Sequence, residues 1–329
     1  MLVQYARPRP SRAIVDGGSL TPDHGQMRFL LSRTDALGDL MVSLPVMARI
    51  LEHDSKAEIH WLVRPATAPL LEQLPGVAGV HRRDSGQDLV ALFSDLRPDA
   101  VLNLGHRDRK ILPAAQAAAV KVRVGRARGI RPILAATHRL WGGRTGSGRH
   151  EAQHALDFLR PFGWAGGEPT MPPLQLTVEE RAQGERDLAS LPHPRLGLVL
   201  RGSGAGAYPS EAWWAEARKG IEKAGWHPIV LAPPEDSEIT AGDLRRLLAR
   251  LSACDAVLSP STGPAHLAAA LGIPTLCLMG RRASHGPDRW RPLGAKVAVL
   301  QYPGSEADLS GGMDRLEVTS VLAALETLR

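Results

Sequence analysis

Two short stretches of this chain place chemically active residue types at the start of a helix. One is Leu258-Ser259-Pro260-Ser261-Thr262-Gly263-Pro264-Ala265-His266-Leu267-Ala268-Ala269-Ala270-Leu271-Gly272. It reads as a buried strand, a turn of small residues, and a helix that opens on a hydroxyl, a glycine and a proline. A helix start gathers N–H groups that lack intrahelical acceptors and carries the positive end of the helix dipole. That point suits an anion, most often a phosphate. Pro264 falls where a first-turn proline is tolerated, Gly263 lets a ligand approach the backbone, and His266 lies one turn in. Thr262 fits two roles, a donor to phosphate or a plain helix N-cap. His266 is either a second donor or a satisfied buried histidine. The other stretch, Arg33-Thr34-Asp35-Ala36-Leu37-Gly38-Asp39, has the same strand–turn–helix form. A carboxylate there, Asp39 or Asp35, is of a type that can take up a proton, which is worth roughly 10²–10⁴-fold in rate where it assists a reaction. The alternative is that Asp39 only favours a helix N-terminus.

The elements that position these turns follow from periodicity. Short apolar runs predict strands at 28–32, 59–63, 77–81, 100–104, 120–124, 195–200, 227–232, 256–259 and 275–279. Helical spacing predicts helices at 39–53 (kinked or loosened by Pro45), 66–74, 151–162, 210–224, 262–271 and 316–328. Buried strands alternating with helices make doubly wound parallel sheets. Residues 164–176 break every pattern with two glycines and three prolines and read as a linker. The expected organisation is a flexible tail at 1–26, an N-terminal domain at 27–163, the linker, and a C-terminal domain at 177–329.

In such sheets ligands bind beyond the carboxyl ends of the strands. Those ends carry further candidates. The loop Arg201-Gly202-Ser203-Gly204-Ala205-Gly206-Ala207 is either a phosphate cradle, with Arg201 and Ser203 as donors, or a connector. Glu235 and Glu238 fit ribose hydroxyls or are solvated loop acids. Met279 and Gly280 border a base, or Met279 is a core residue. Arg107, Arg109 and Lys110 fit an acidic acceptor or form a solvated helix face.

The chain has 329 residues, long enough for two cores, and is 43 % hydrophobic, as globular proteins are. Its formal net charge of +6 favours anionic partners: nucleic acid, phosphorylated glycolipid or the inner face of a membrane. No RRM, zinc-finger or aromatic-interleaved basic signature supports nucleic acid. No GxGxxG follows the first strand, which argues against a dinucleotide oxidoreductase. The two cysteines, Cys254 and Cys277, lie in apolar runs without metal-ligand spacing and read as buried free thiols in a reducing compartment. Residues 1–26 lack the apolar core of a signal peptide, and no stretch reaches transmembrane length. A cytoplasmic protein touching the membrane peripherally from that side is expected.

Taken together, Arg33-Thr34-Asp35-Ala36-Leu37-Gly38-Asp39-Leu40 and Ser261-Thr262-Gly263-Pro264-Ala265-His266-Leu267-Ala268-Ala269-Ala270-Leu271-Gly272 resemble glycosyltransferase family 9, which contains the ADP-heptose:lipopolysaccharide heptosyltransferases. Leu104-Gly105-His106-Arg107, Arg123-Val124-Gly125 and Tyr208-Pro209-Ser210-Glu211-Ala212-Trp213 share the likeness, which spans most of the chain from about residue 28. The resemblance implies a GT-B fold, two Rossmann-like domains facing across a cleft, with donor in the C-terminal domain and acceptor in the N-terminal one. It implies an inverting transferase that uses an ADP-sugar, needs no metal or other cofactor, and delivers to a lipopolysaccharide core or related anionic glycan. It implies Asp39 as general base and Thr262, Gly263 and His266 at the diphosphate. The chain departs from the family where Ser261 replaces a common aspartate and Gly206 a common lysine. These departures keep open a non-catalytic nucleotide-sugar-binding relative, or a transferase with another sugar or a protein acceptor.

Overall fold

The computed structural model describes residues 14–16, 26–105, 107–202, 208–231, 241–280, 284–302 and 312–328. The chain divides into two compact units between Pro172 and Pro173. Among the described residues, the N-terminal unit is built on a seven-stranded sheet. Its strands are β1 (Ile14–Asp16), β2 (Arg28–Arg33), β3 (Glu58–Val63), β4 (Val77–Arg82), β5 (Ala100–Asn103), β6 (Val122–Arg126) and β7 (His138–Trp141). Their spatial order is β1-β7-β6-β5-β2-β3-β4. Strands β2 to β7 run parallel, and β1 adds antiparallel beside β7, the last of the parallel set.

The central strand β2 is buried on both faces, so alternate side chains enter different cores. Leu30, with Leu62 and Val101, meets Phe93, Ile111, Leu112, Ala115 and Ala135 from the helices Leu89–Leu96, Ile111–Ala117 and Ile130–Ala135. Phe29 points the other way, with its ring centroid 5.4 Å from Phe162 and 6.2 Å from Trp164.

The C-terminal unit repeats the design with β8 (Arg195–Leu198), β9 (His227–Val230), β10 (Ala256–Pro260), β11 (Thr275–Met279) and β12 (Val297–Gln301), all parallel, in the order β12-β11-β10-β8-β9. Leu196, Leu198, Leu258, Leu276 and Leu278 pack on one face against Trp213, Trp214 and Ile221 of the helix Glu211–Lys223 and Val321 and Leu325 of the helix Val318–Glu326. Ala265, Cys277, Met279 and Val299 fill the other. Both units are therefore doubly wound α/β layers, as the alternation predicts.

The parallel part of each sheet begins in its middle, at β2 or β8, and then reverses direction. The reversal lies between β2 and β5 in the N-terminal unit and between β8 and β10 in the C-terminal unit. At such a switch point the two crossover helices leave on opposite faces, which opens a crevice at the carboxyl ends.

Several expectations need correction. The supposed tail at 1–26 contributes β1, whose pairing with β7 covers an otherwise open sheet edge. The expected helix 39–53 is two helices, Leu37–Met41 and Leu44–His53. At the break, the Ser43 hydroxyl donates to the Asp39 carbonyl at 2.8 Å, and Pro45 sits harmlessly in the first turn of the second helix. The segment 151–162 is an α-helix, Glu151–Leu156, that tightens to a 3₁₀ helix, Asp157–Phe162, and ends on Gly163 at φ +74°. The first part of the expected linker is fastened to the N-terminal unit. Trp164 stacks on Phe162 and His53, and Arg49 donates to the carbonyls of Gly166 and Glu168.

Candidate functional site

In the N-terminal unit the switch point is occupied by one arginine and two aspartates. Arg33 ends β2 and is 2 % exposed. Its Nη1 donates to the Leu104 carbonyl beyond β5 at 2.6 Å, so the guanidinium bridges the two strands that flank the reversal. Its Nη2 donates to Asp39 Oδ1 at 2.5 Å, and its Nε lies 3.4 Å from Asp35 Oδ2. The two carboxylates differ in access: the side chain of Asp35 is 2 % exposed, that of Asp39 27 %. Asp35 is held by charge alone, since neither oxygen accepts a hydrogen bond among the described residues. Gly105 explains part of its enclosure: a Cβ there would stand 3.0 Å from Asp35 Oδ2. Asp39 is a different case. Oδ1 is fixed by Arg33, and Oδ2 carries no hydrogen bond among the described residues.

The expected acceptor cations separate. Arg107 is 78 % exposed at its side chain and its Nε reaches to 3.8 Å from Asp35 Oδ1. Arg109 and Lys110 do not join this cluster. They line a surface groove of about 660 Å³ with Val90, Pro113, Ile130 and Arg131.

A buried polar shell supports the same unit and was missed in the sequence. Arg126 ends β6 and donates to the His154 carbonyl at 3.1 Å. Burial, reinforced by the like charges of Arg144 and Arg33 against the pull of Glu151 and Asp157, pushes its guanidinium down to about 10. Asp157 accepts from Arg149 at 2.8 and 3.2 Å and from Arg160 at 3.1 Å. Burial opposes its charge, but the bonds from His154 and Arg149 and the charges of Arg149 and Arg160 outweigh it and hold the carboxyl well below its usual range. Burial lowers His154 below 6.5 despite that neighbour. The signal was present as His150, His154 and Asp157 at helical spacing, one polar stripe turned inward.

In the C-terminal unit the switch point holds the predicted helix start. The helix Gly263–Ala270 follows β10 with Thr262 at its N-cap position in extended backbone. Thr262 makes no cap bond. Its hydroxyl instead pairs with Ser259 Oγ at 2.9 Å, and both side chains are buried. The plain N-cap role is thereby excluded, and the first-turn N–H groups of Gly263 and Ala265 are left without a side-chain acceptor of that kind. The loop after β8 closes tightly on this start. A Cβ on Gly202 would stand 2.8 Å from Thr262 Cγ2 and 3.4 Å from the Tyr208 hydroxyl. Only a glycine lets the backbone come so near.

Ser261 is half-buried and its N–H donates to the Leu278 carbonyl at 3.1 Å. Pro264 and His266 are buried, His266 to 2 % exposure. Arg201 is exposed directly beyond β8. Met279 is a correction: its side chain has no exposed surface and packs with Ala265, Cys277 and Val299, as a core residue does. At Gly280 a Cβ would meet nothing within 4 Å. Ser203, Gly206, Glu235 and Glu238 lie outside the described residues. Both cysteines are buried, and burial raises the Cys254 thiol to about 12, which suits packing and not nucleophilic chemistry.

Comparison with known proteins adds the following. Residues 168–310 match the family described as glycosyltransferase family 9 (heptosyltransferase). A protein of Haemophilus influenzae, provisionally named a glycosyltransferase, is 25 % identical over 336 residues, covering 91 % of this chain and 95 % of its own. The crystal structure of the glycosyl transferase family 9 protein from Veillonella parvula superposes with a TM-score of 0.78 at 17 % identity, over 94 % of this chain and 98 % of that one. The ADP-heptose lps heptosyltransferase II of E. coli gives a TM-score of 0.74 at 19 % identity, over 92 % and 98 %. The structural likeness establishes a shared heptosyltransferase-like fold.

Proposed function

We propose that this chain is an inverting glycosyltransferase, a reading supported by the match of residues 168–310 to glycosyltransferase family 9 (heptosyltransferase). In this reading it moves a heptose from an ADP-sugar to an anionic glycan or glycolipid such as a lipopolysaccharide core. The observation that carries the reading is the Asp39 carboxylate, which stands at the switch point of its sheet with one oxygen anchored by Arg33 and the other open. Asp35 lacks the access a base needs.

The acceptor hydroxyl oxygen attacks the anomeric carbon as the bond from that carbon to the diphosphate breaks. The hydroxyl proton passes to Asp39 Oδ2, and the bonding pair leaves with the diphosphate. The charge that builds on the departing group is met by the N–H groups and dipole of the helix Gly263–Ala270, with Thr262, His266 and Arg201 as further donors. Positive charge for the leaving group is then supplied by the protein, and the proposed reaction takes no metal or other cofactor. The fold shared with the E. coli ADP-heptose transferase supports the choice of donor. The net charge of +6 and the exposed Arg107 support an acidic acceptor. No helix among the described residues is long and apolar enough to cross a membrane; we place the reaction in the cytoplasm, at the inner membrane face.

A thermal-shift panel of ADP, UDP, GDP and CDP tests the donor. A nucleotide at a hundredfold excess over its Kd adds about 2.7 kcal/mol, so ADP is expected to raise Tm by several degrees and the others by less. Transfer from ADP-heptose, insensitive to EDTA, completes the test. A preference for UDP contradicts the heptosyl reading, and tight ADP binding without turnover favours a non-catalytic relative.

A further inference from the structure

We propose that the N-terminal unit docks on an anionic lipid surface through an apolar tip formed by Ile130 and Leu134, ringed by Arg109, Lys110, Arg128 and Arg131. Ile130 and Leu134 are 78 % and 69 % exposed, far more than aliphatic side chains of a packed unit need be. They lie one turn apart on the helix Ile130–Ala135 and so project to the same side. Val90, 38 % exposed, continues the patch along the groove of about 660 Å³. An apolar patch with a polar rim marks an interaction site.

The rim selects the partner. All four cations are exposed. The acids nearest in sequence are engaged elsewhere: Asp108 pairs with Arg83 at 2.7 Å, and Asp88 caps the helix Leu89–Leu96. A second copy docking by a two-fold axis would set this rim against itself, four cations on four. An anionic bilayer offers the complement to both parts. Two aliphatic side chains enter the acyl boundary while the guanidinium and ammonium groups meet lipid phosphates.

The position of the patch gives it a use. The helices Ile111–Ala117 and Ile130–Ala135 begin just past the carboxyl ends of β5 and β6, the end of the sheet that holds Asp39. Docking there presents a lipid-anchored acceptor to that end. The use rests on the transferase reading above; the docking itself does not.

Co-sedimentation with phosphatidylglycerol–phosphatidylcholine vesicles, against phosphatidylcholine alone, tests the docking. The wild-type protein is expected to prefer the anionic vesicles and to be released by salt. Ile130→Asp with Leu134→Asp is expected to weaken binding at least about tenfold. Arg128→Glu with Arg131→Glu is expected to weaken it by about fivefold for each cation lost and to abolish the lipid preference. Both pairs are on the surface, so Tm is expected to hold. Because Cys254 and Cys277 are buried, Leu134→Cys accepts a polarity-sensitive dye selectively, and its emission should shift to the blue on anionic vesicles only. Wild-type protein that ignores anionic vesicles at low salt overturns the proposal. So do variants that bind as the wild type does, or an Ile130→Asp change that splits a dimer while vesicle binding persists. ADP affinity, measured beside these, reports on the transferase reading separately.

Discussion

The two switch points are built from opposite materials. In the N-terminal unit the crevice is filled with charge: Arg33 reaches Leu104, Asp39 and Asp35, and a second set of pairs around Arg149 and Asp157 lies buried in the same unit. In the C-terminal unit the described residues at the corresponding helix start are small and neutral, with Gly202 pressed on Thr262 and the Thr262 hydroxyl turned to Ser259, and the cation Arg201 stands exposed beyond β8. The difference teaches how each site is made ready. In the proposed reading, the carboxylate that accepts the proton is held in place by a fixed counter-charge, and the helix start that meets the diphosphate is shaped by a close backbone approach that only glycine allows. One should be sensitive to charge and pH, the other to volume.

Asp157→Asn tests this contrast most strongly. It leaves Arg149 and Arg160 without their carboxylate, and breaking a buried pair on one side costs about 3 kcal/mol. Chemical denaturation of this variant is expected to show the N-terminal unit unfolding earlier, with the C-terminal unit unmoved. A uniform loss across both transitions would mean that the shell is not local to one unit.

Acid sharpens the same point. His81 and His154 are both lowered from 6.5 by burial, and for His81 the charge of His60 adds to the effect. A histidine that resists protonation when folded contributes stability that is complete above 6.5 and fades as pH falls below it. Both residues belong to the N-terminal unit, so that unit should weaken first between pH 6.5 and the carboxylate range. Below that range the depressed carboxylates of both units protonate, Asp157 and Glu58 in one and Glu180 and Asp187 in the other. Their stabilisation, present above their ordinary values, is then lost together. Melting curves read by two local probes across this range will show either two acid transitions or one.

The smallest expected effect is on the neutral side. Gly202→Val forces a side chain into the space of Thr262, and a shifted helix start should weaken ADP binding about tenfold, on the order of 1.4 kcal/mol. Calorimetric titration measures this directly. If the valine is tolerated at full affinity, the glycine contact does not shape the anion site.

Much of this was legible in the sequence for a simple reason. Strand, turn and helix at 256–270 and 28–41 are written in local chemistry: apolar runs, small turn residues, a first-turn proline. The doubly wound class follows from alternation. What could not be read is non-local. Nothing near Arg33 announces its bond to Leu104, 71 residues away, and nothing near Gly202 announces Thr262. The strand β7, His138–Trp141, hides because two of its four residues are basic in type, and the edge strand β1 hides because it is only three residues long. The break at Val42–Ser43 replaces a single helix because Ser43 bonds back to Asp39. Met279 sits at a strand end where ligands often bind, yet the opposite face of the sheet claims its side chain.

The central claim is that Asp39 works on the proton and not on the nucleotide. Asp39→Asn keeps the shape and the Arg33 contact while removing the base, so one variant assayed twice decides it. ADP affinity is expected to stay within about twofold of wild type while transfer from ADP-heptose falls by roughly 10²–10⁴-fold. Transfer at the wild-type rate, or a loss of ADP binding that accounts for the whole defect, would contradict it.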